Sequence, residues 1–323
     1  MHSLLPPLVT LVLLASLACS DSESREDGDV ASDALKVVAT TTQIGDLARN
    51  VGGDRIALTV LLSPNQDAHD FELEPSQIRA VAVADIVLRN GVGLDGFLDK
   101  ALEGSSTAVA TLSAGVETEE GEGHDEEGEE HEGDGEEEHE DEGIDPHIWF
   151  SVANARQMVE NLRDALVAED AGNADFYREN AAAYLQELEA LDSEIRAEVA
   201  LVPEACRKLV TNHDVLGYYA TAYGFEVVGA VIPSTTSEAQ ASAADVAEIV
   251  RLIEEEGVPA IFAEASINPD LIQQVGREAG VTVVDDLYGD SLGPAGSDGA
   301  TYIDMMRSNT EKIAGALKDC AAA

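Results

Sequence analysis

"LKVVATTTQIGDLARNVGGDRIALTVLL", residues 35–62, sets a short β-branched run, then a helical stretch, then a second β-branched run. Two strands separated by a helix read as a βαβ unit, because neighbouring parallel strands need a crossover to bring the chain back to the same edge. The rhythm continues through "PSQIRAVAVA" and "DIVLRNG" and resumes later in "KLVTNHD", "FEVVGAV", "AIFAEA" and "VTVVDD". Helical stretches such as "SAADVAEIVRLIEEEG" and "DLIQQVGREAG" separate the later runs. Between the two series lie "VANARQMVENLRDALVAED" and a longer periodic stretch, residues 173–202, that has few breakers and stops at Pro203. The economical fold is α/β: two lobes, each a parallel sheet with flanking helices, joined by a long linker helix. The lobes are residues 35–172 and 203–323, with the linker at 173–202.

A chain of 323 residues with 45% hydrophobic content can bury a substantial core, and its length favours two lobes over one. Its formal charge of −46 excludes nucleic acid as a partner, since no basic run offsets the repulsion, and makes cations the natural ligands. Residues 117–145 hold 18 acids and no Lys or Arg, so −28 of the −46 remains elsewhere. Within that stretch, the loop 117–143 is too rich in Glu and Gly to build a core and reads as solvated chain.

The opening "MHSLLPPLVTLVLLASLACS" carries an apolar run, Leu4 to Ala18, that reads as an export signal at residues 1–18. Small residues before Cys19 and the polar "SDSESREDGD" after it match a lipoprotein cleavage site, with Cys19 as lipid anchor and residues 19–34 as an acidic tether. The chain is then exported, held at the outer face of the cytoplasmic membrane or in the periplasm. Cys206 and Cys320 remain, an even pair in an oxidising compartment, and are expected to form a disulfide.

Of the seven histidines, His2 lies in the export signal, and His124, His131 and His139 lie in the acidic loop. The folded part keeps three. His69 follows a strand in "LLSPNQDAH", His147 lies in "DPHIWF" before a helix, and His213 ends the strand-like "LVTNH". Ligands of parallel α/β sheets gather outside the carboxyl ends of the strands, where these positions can converge on a cleft. Three neutral imidazoles and one carboxylate make a tetrahedral Zn2+ site. The carboxylate comes from "VVDDLYGDSLG", where Asp285, Asp286 and Asp290 are all candidates.

Five stretches, "LLSPNQDAHDFELEPSQI", "DPHIWFSVANARQMVENLRDAL", "TNHDVLGYYATAYGFEVVG", "IFAEASINP" and "LYGDSLGPAGSDGATYIDMM", together resemble the solute-binding lipoproteins of zinc and manganese ABC importers. The resemblance runs in order through the mature chain. It implies two lobes with a metal in the cleft, bound by His69, His147, His213 and Asp290. Zinc-binding members tend to have His at the His213 position, whereas many manganese-binding members use a Glu further along the lobe. Gly289 replaces the family's usual hydroxyl residue before the Asp, and Ser151 stands where an Asp often follows "HIW", a position from which Ser still caps a helix. Glu264 matches a recurrent acid to which only a supporting role is assigned. Zinc-specific members often insert a His- and acid-rich loop before the second histidine, which makes His124, His131 and His139 weak auxiliary sites.

The function expected is high-affinity capture of Zn2+ outside the cytoplasm and its delivery, by a monomer, to an ABC permease and its ATPase. Manganese is the alternative within the family, but three imidazoles favour Zn2+. A zinc hydrolase is disfavoured because a catalytic zinc keeps one position open for water, and no HExxH or GxSxG motif or phosphate loop is present. A surface adhesin would need an aromatic-rich or repeated face, and aromatics make up only 4% of the chain.

Overall fold

The computed structural model describes residues 34–120, 143–237 and 239–320. The export signal, most of the tether, Cys19, His124, His131 and His139 lie outside the described residues. The first lobe runs β1 (Leu35–Ala39), α1 (Thr42–Gly52), β2 (Ile56–Val60), α2 (Pro75–Val83), β3 (Ile86–Arg89), α3 (Asp99–Leu102) and β4 (Ala108–Thr111). Its strands are all parallel, in the order β2-β1-β3-β4, with Leu35 opposite Ile56, Val37 opposite Ile86 and Ile86 opposite Ala108. Local chemistry sets the helix ends. Thr41 Oγ1 accepts the Ile44 N–H at 3.3 Å to start α1, while α2 opens on Pro75 with a reciprocal Glu74–Gln77 capping box.

Two helices follow, α4 (Val152–Glu169) and α5 (Ala174–Val199). Ser151 Oγ accepts the Asn154 N–H and caps α4, the role open to a Ser in place of the Asp. The long helix α5 has 26 residues and spans about 39 Å at 1.5 Å per residue. Its buried stripe of Tyr177, Ala181, Tyr184, Leu188, Leu191, Ile195 and Val199 repeats every three or four positions and faces both lobes.

The second lobe contains β5 (Lys208–His213), α6 (Gly217–Tyr223), β6 (Glu226–Ile232), α7 (Ala243–Glu256), β7 (Ala260–Glu264), α8 (Asp270–Ala279), β8 (Thr282–Leu287) and α9 (Tyr302–Leu317). Its sheet, β6-β5-β7-β8, is also parallel and repeats the strand order of the first lobe. In each sheet the order reverses beside the first strand, between β1 and β3 and between β5 and β7. That reversal opens a crevice at the carboxyl ends. A single apolar core runs from Val37 and Leu88 through α5 to Met305 and Ile313 of α9, while a smaller cluster around Val210, Ile249, Ile261 and Val275 backs the second sheet. Cys206 and Cys320 are disulfide-bonded with their Cα atoms 6.3 Å apart, tying the entry of β5 to the end of α9. Among the described residues no helix is long and apolar enough to cross a membrane.

Candidate metal centre

Three of the four residues expected as ligands leave the carboxyl ends of strands, His69 in the loop after β2, His213 as the last residue of β5 and Asp290 just past β8, while His147 stands just before the short turn that leads into α4. The folding of the two sheets brings them together. Among the described residues these four form one group whose ligand atoms all lie within 4.8 Å of one another. His69 Nε2 is 3.2 Å from His147 Nε2, which is 3.4 Å from His213 Nε2. Asp290 Oδ1 is 3.2 Å from His147 Nε2 and 3.7 Å from His69 Nε2, and Oδ2 is 3.9 Å from His213 Nε2. Three ring nitrogens and a carboxylate thus point at one small volume.

Of the three candidate carboxylates only Asp290 reaches it. Between Phe262 and Glu264 the partner strand β8 carries an extra residue, and Asp286 there adopts φ 66°, a left-handed bulge conformation. Asp285 and Asp286 are left exposed, whereas Asp290 is 0% exposed.

Two of the three rings are held from behind, and the third histidine is fixed through its backbone. Asp145 Oδ1 accepts the His147 backbone N–H at 2.9 Å and lies 2.6 Å from its Nδ1. A carboxylate can only accept, so Nδ1 carries a proton and Nε2 is the nitrogen left to face the cleft, free to bind a metal once it gives up its own proton. Glu264 does the same for His213, with Oε1 at 2.8 Å from Nδ1. Asp67 Oδ1 accepts the His69 backbone N–H at 2.8 Å, and its other oxygen accepts the Ser237 hydroxyl of the second lobe. Asp67 and Asp145 therefore repeat one device, an Asp two residues ahead of the histidine it fixes. Sequence reasoning missed both, although D-x-H occurs twice in the quoted motifs.

The loop carrying Asp290 belongs to the second lobe in sequence but is anchored by α1 of the first. Gln43 Nε2 donates to the Gly289 carbonyl at 3.3 Å, the Leu292 N–H donates to Thr42 Oγ1 at 2.8 Å, and the Tyr302 N–H donates to Asp46 Oδ2 at 3.0 Å. The donor set consequently spans both lobes.

Electrostatics favours a cation here. Burial alone would lower the His147 pKa, but Asp145, and behind it Asp290, push it up to about 10. His213 is raised as well: burial opposes its charge, and Glu264 outweighs it. Burial would raise Asp290, yet the rings of His147 and His69, with His213, hold it well below the usual carboxylate range. Neither oxygen of Asp290 meets a donor in hydrogen-bond geometry among the described residues. A buried carboxylate facing only imidazoles is stabilised by positive charge at the common point, and a divalent ion supplies it. His147, His213 and Asp290 are inaccessible to solvent, while the His69 side chain is 9% exposed and borders a cavity of about 350 Å3 that Phe71, Phe97 and Thr236 also line.

The acidic loop leaves and returns at neighbouring points. Glu120 pairs antiparallel with Ile144, and the Tyr218 hydroxyl receives the Glu119 N–H at 3.0 Å while donating to the Asp145 carbonyl at 2.9 Å. The stem of the loop is thus clamped to the residue that orients His147.

Residues 37–316 match the family model of zinc-uptake complex component A, periplasmic (ZnuA). The manganese-binding lipoprotein MntA of Halalkalibacterium halodurans is 31% identical over 311 residues, 96% of each chain. The iron-binding protein YfeA of Yersinia pestis is 30% identical over 309 residues, covering 95% of this chain and 94% of that one. Among solved structures, the periplasmic zinc binding protein TroA from Treponema pallidum matches with a TM-score of 0.76 at 27% identity, over 88% of this chain and 99% of that one. The chain therefore belongs to the ZnuA family and is the substrate-binding protein of a metal ABC transporter, a carrier of metal ions and not an enzyme.

Proposed function

We propose that the protein captures Zn2+ outside the cytoplasmic membrane, with His69, His147, His213 and Asp290 as its four ligands, and passes the ion to an ABC permease driven by its ATPase. The observation that carries this reading is the spacing of the donors. Zinc bonds of about 2.0–2.1 Å in a tetrahedron place neighbouring ligand atoms about 3.3–3.4 Å apart. The donor pairs at 3.2, 3.2, 3.4, 3.7 and 3.9 Å lie around that edge, so small side-chain adjustments suffice. Three imidazoles and one carboxylate also match the borderline softness of Zn2+ better than that of Mn2+.

Manganese is the second reading, and two observations favour it. One is the manganese-binding relative. The other is that Asp290 turns Oδ1 toward His69 and His147 and Oδ2 toward His213, so a bidentate grip would raise the coordination number to five. Direct competition decides between the metals. Chelator-stripped protein titrated with Zn2+ in the presence of excess Mn2+ should take up zinc stoichiometrically, and retention of Mn2+ against equimolar Zn2+ would overturn the zinc reading.

Export through residues 1–18, lipid attachment at Cys19 and action as a monomer complete the proposal. A tethered carrier samples the membrane surface at a raised effective concentration, which suits hand-over to a fixed permease. His124, His131 and His139 serve as weak collecting ligands.

A further inference from the structure

Gly289 stands directly before Asp290, where the family resemblance would place a hydroxyl residue, and the structure shows what its missing side chain makes room for. A Cβ built on Gly289 would lie 1.8 Å from Glu264 Oε2, 2.8 Å from its Cδ and 3.3 Å from its Cγ. The Glu264 carboxylate thus fills the volume that any other residue at 289 would claim. No hydrogen-bond donor holds Oε2 there among the described residues. What fixes the carboxylate is its other oxygen, Oε1, bonded to His213 Nδ1 at 2.8 Å. The backbone under Glu264 is fixed too, because its N–H donates to Asn212 Oδ1 at 2.8 Å and the Ala265 N–H donates to the Leu287 carbonyl at 2.8 Å.

We infer that Gly289 and Glu264 act as a coupled pair of positioning residues: the absent side chain at 289 admits the Glu264 carboxylate, which locks the His213 ring with Nε2 facing the metal. This deepens the proposed function and rests on His213 being a ligand. Main-chain retreat at 289 is opposed, since Gln43 holds its carbonyl and Thr42 holds Leu292. A methyl group at 289 must therefore drive the carboxylate away from His213. The freed imidazole can turn about its second torsion or adopt the tautomer with Nε2 protonated, and either one removes the lone pair from the cleft. Loss of a partner behind a metal-bound histidine costs about 10–100-fold in metal affinity.

The test uses the full chain with 15N-labelled histidine. Imidazole NMR of the metal-free protein reads the His213 Nδ1–H, zinc competition against a chelator reads affinity, and melting temperature is followed alongside. Wild type should show a slowly exchanging Nδ1–H signal that Gly289→Ala and Glu264→Ala both abolish, each with a zinc affinity about 10–100-fold lower. Because both substitutions break one interaction, Gly289→Ala/Glu264→Ala should bind no more weakly than the worse single variant. Glu264→Gln, which keeps an acceptor for Nδ1–H, should recover most of the loss. Wild-type affinity in Gly289→Ala, or losses that multiply in the double variant, would overturn the inference while a His213→Ala variant still loses zinc. If His213→Ala binds zinc like wild type, the ligand set itself fails, and the inference with it.

Discussion

Zinc binding at pH 8 should release at least one proton from the cleft. A coordinated imidazole must be neutral at the metal-binding nitrogen, and in the metal-free protein His147 holds its proton with a pKa of about 10. At pH 8 a group with that pKa is about 99% protonated, whereas three ordinary imidazoles of pKa near 6.5 would together carry only about 0.1 proton. His213 is shifted the same way and adds to the total. The competing proton weakens apparent affinity about tenfold for each pH unit below 10, a cost of about 3 kcal/mol at pH 8. Metal binding should therefore tighten steadily from pH 7 to 9, well above the range in which an unperturbed histidine titrates. Isothermal calorimetry in buffers of different ionisation enthalpy counts the protons. Asp145→Asn removes the largest influence raising the His147 pKa, so the release should fall below the wild-type value. A wild-type release near 0.1 at pH 8, or an Asp145→Asn variant that releases as many protons as wild type, would refute this reasoning.

Three further outcomes are expected. In the metal-free protein the raised His147 stabilises the fold fully below pH 6.5 and loses that contribution as pH rises toward 10, so unfolding free energy should drop by about 2 kcal/mol between pH 7 and 9, a decline that bound zinc abolishes in denaturant titrations. Replacing residues 121–142 by a short Gly-Ser turn should leave the tightest zinc equivalent unchanged and remove the weaker ones seen by calorimetry, since Glu120 and Ile144 already pair at the stem. The double substitution Cys206→Ala/Cys320→Ala should lower stability by about 2–4 kcal/mol, because the bridge spans 114 residues, while zinc affinity at 25 °C stays within a factor of three.

Most of the fold was legible in the sequence because β-branched runs and amphipathic stretches alternate cleanly, and such alternation admits few arrangements other than parallel sheets covered by helices. The three histidines that the structure brings together were legible for a different reason: outside the export signal and the acidic loop the chain has only three, and each was read at a loop or strand end. Asp290 was not separable from Asp285 and Asp286 by spacing, since the separation depends on the bulge at Asp286 that leaves Asp285 and Asp286 exposed. The anchoring of Asp290 by α1 was hidden as well, because Asp46 and Tyr302 meet across 256 residues and neither belongs to a motif. Asp145 and Asp67 could have been found, since a short acceptor two residues before a histidine is a local pattern with a local cause.

The central claim is that one metal ion sits between the lobes on three imidazoles and one carboxylate. Anomalous diffraction from crystals of the zinc-loaded protein, collected on either side of the zinc absorption edge, tests it most directly. The account predicts one strong anomalous peak about 2.0–2.2 Å from the Nε2 atoms of His69, His147 and His213 and from an Asp290 oxygen. A peak placed elsewhere, or one that leaves any of these four residues out of coordination distance, would contradict it.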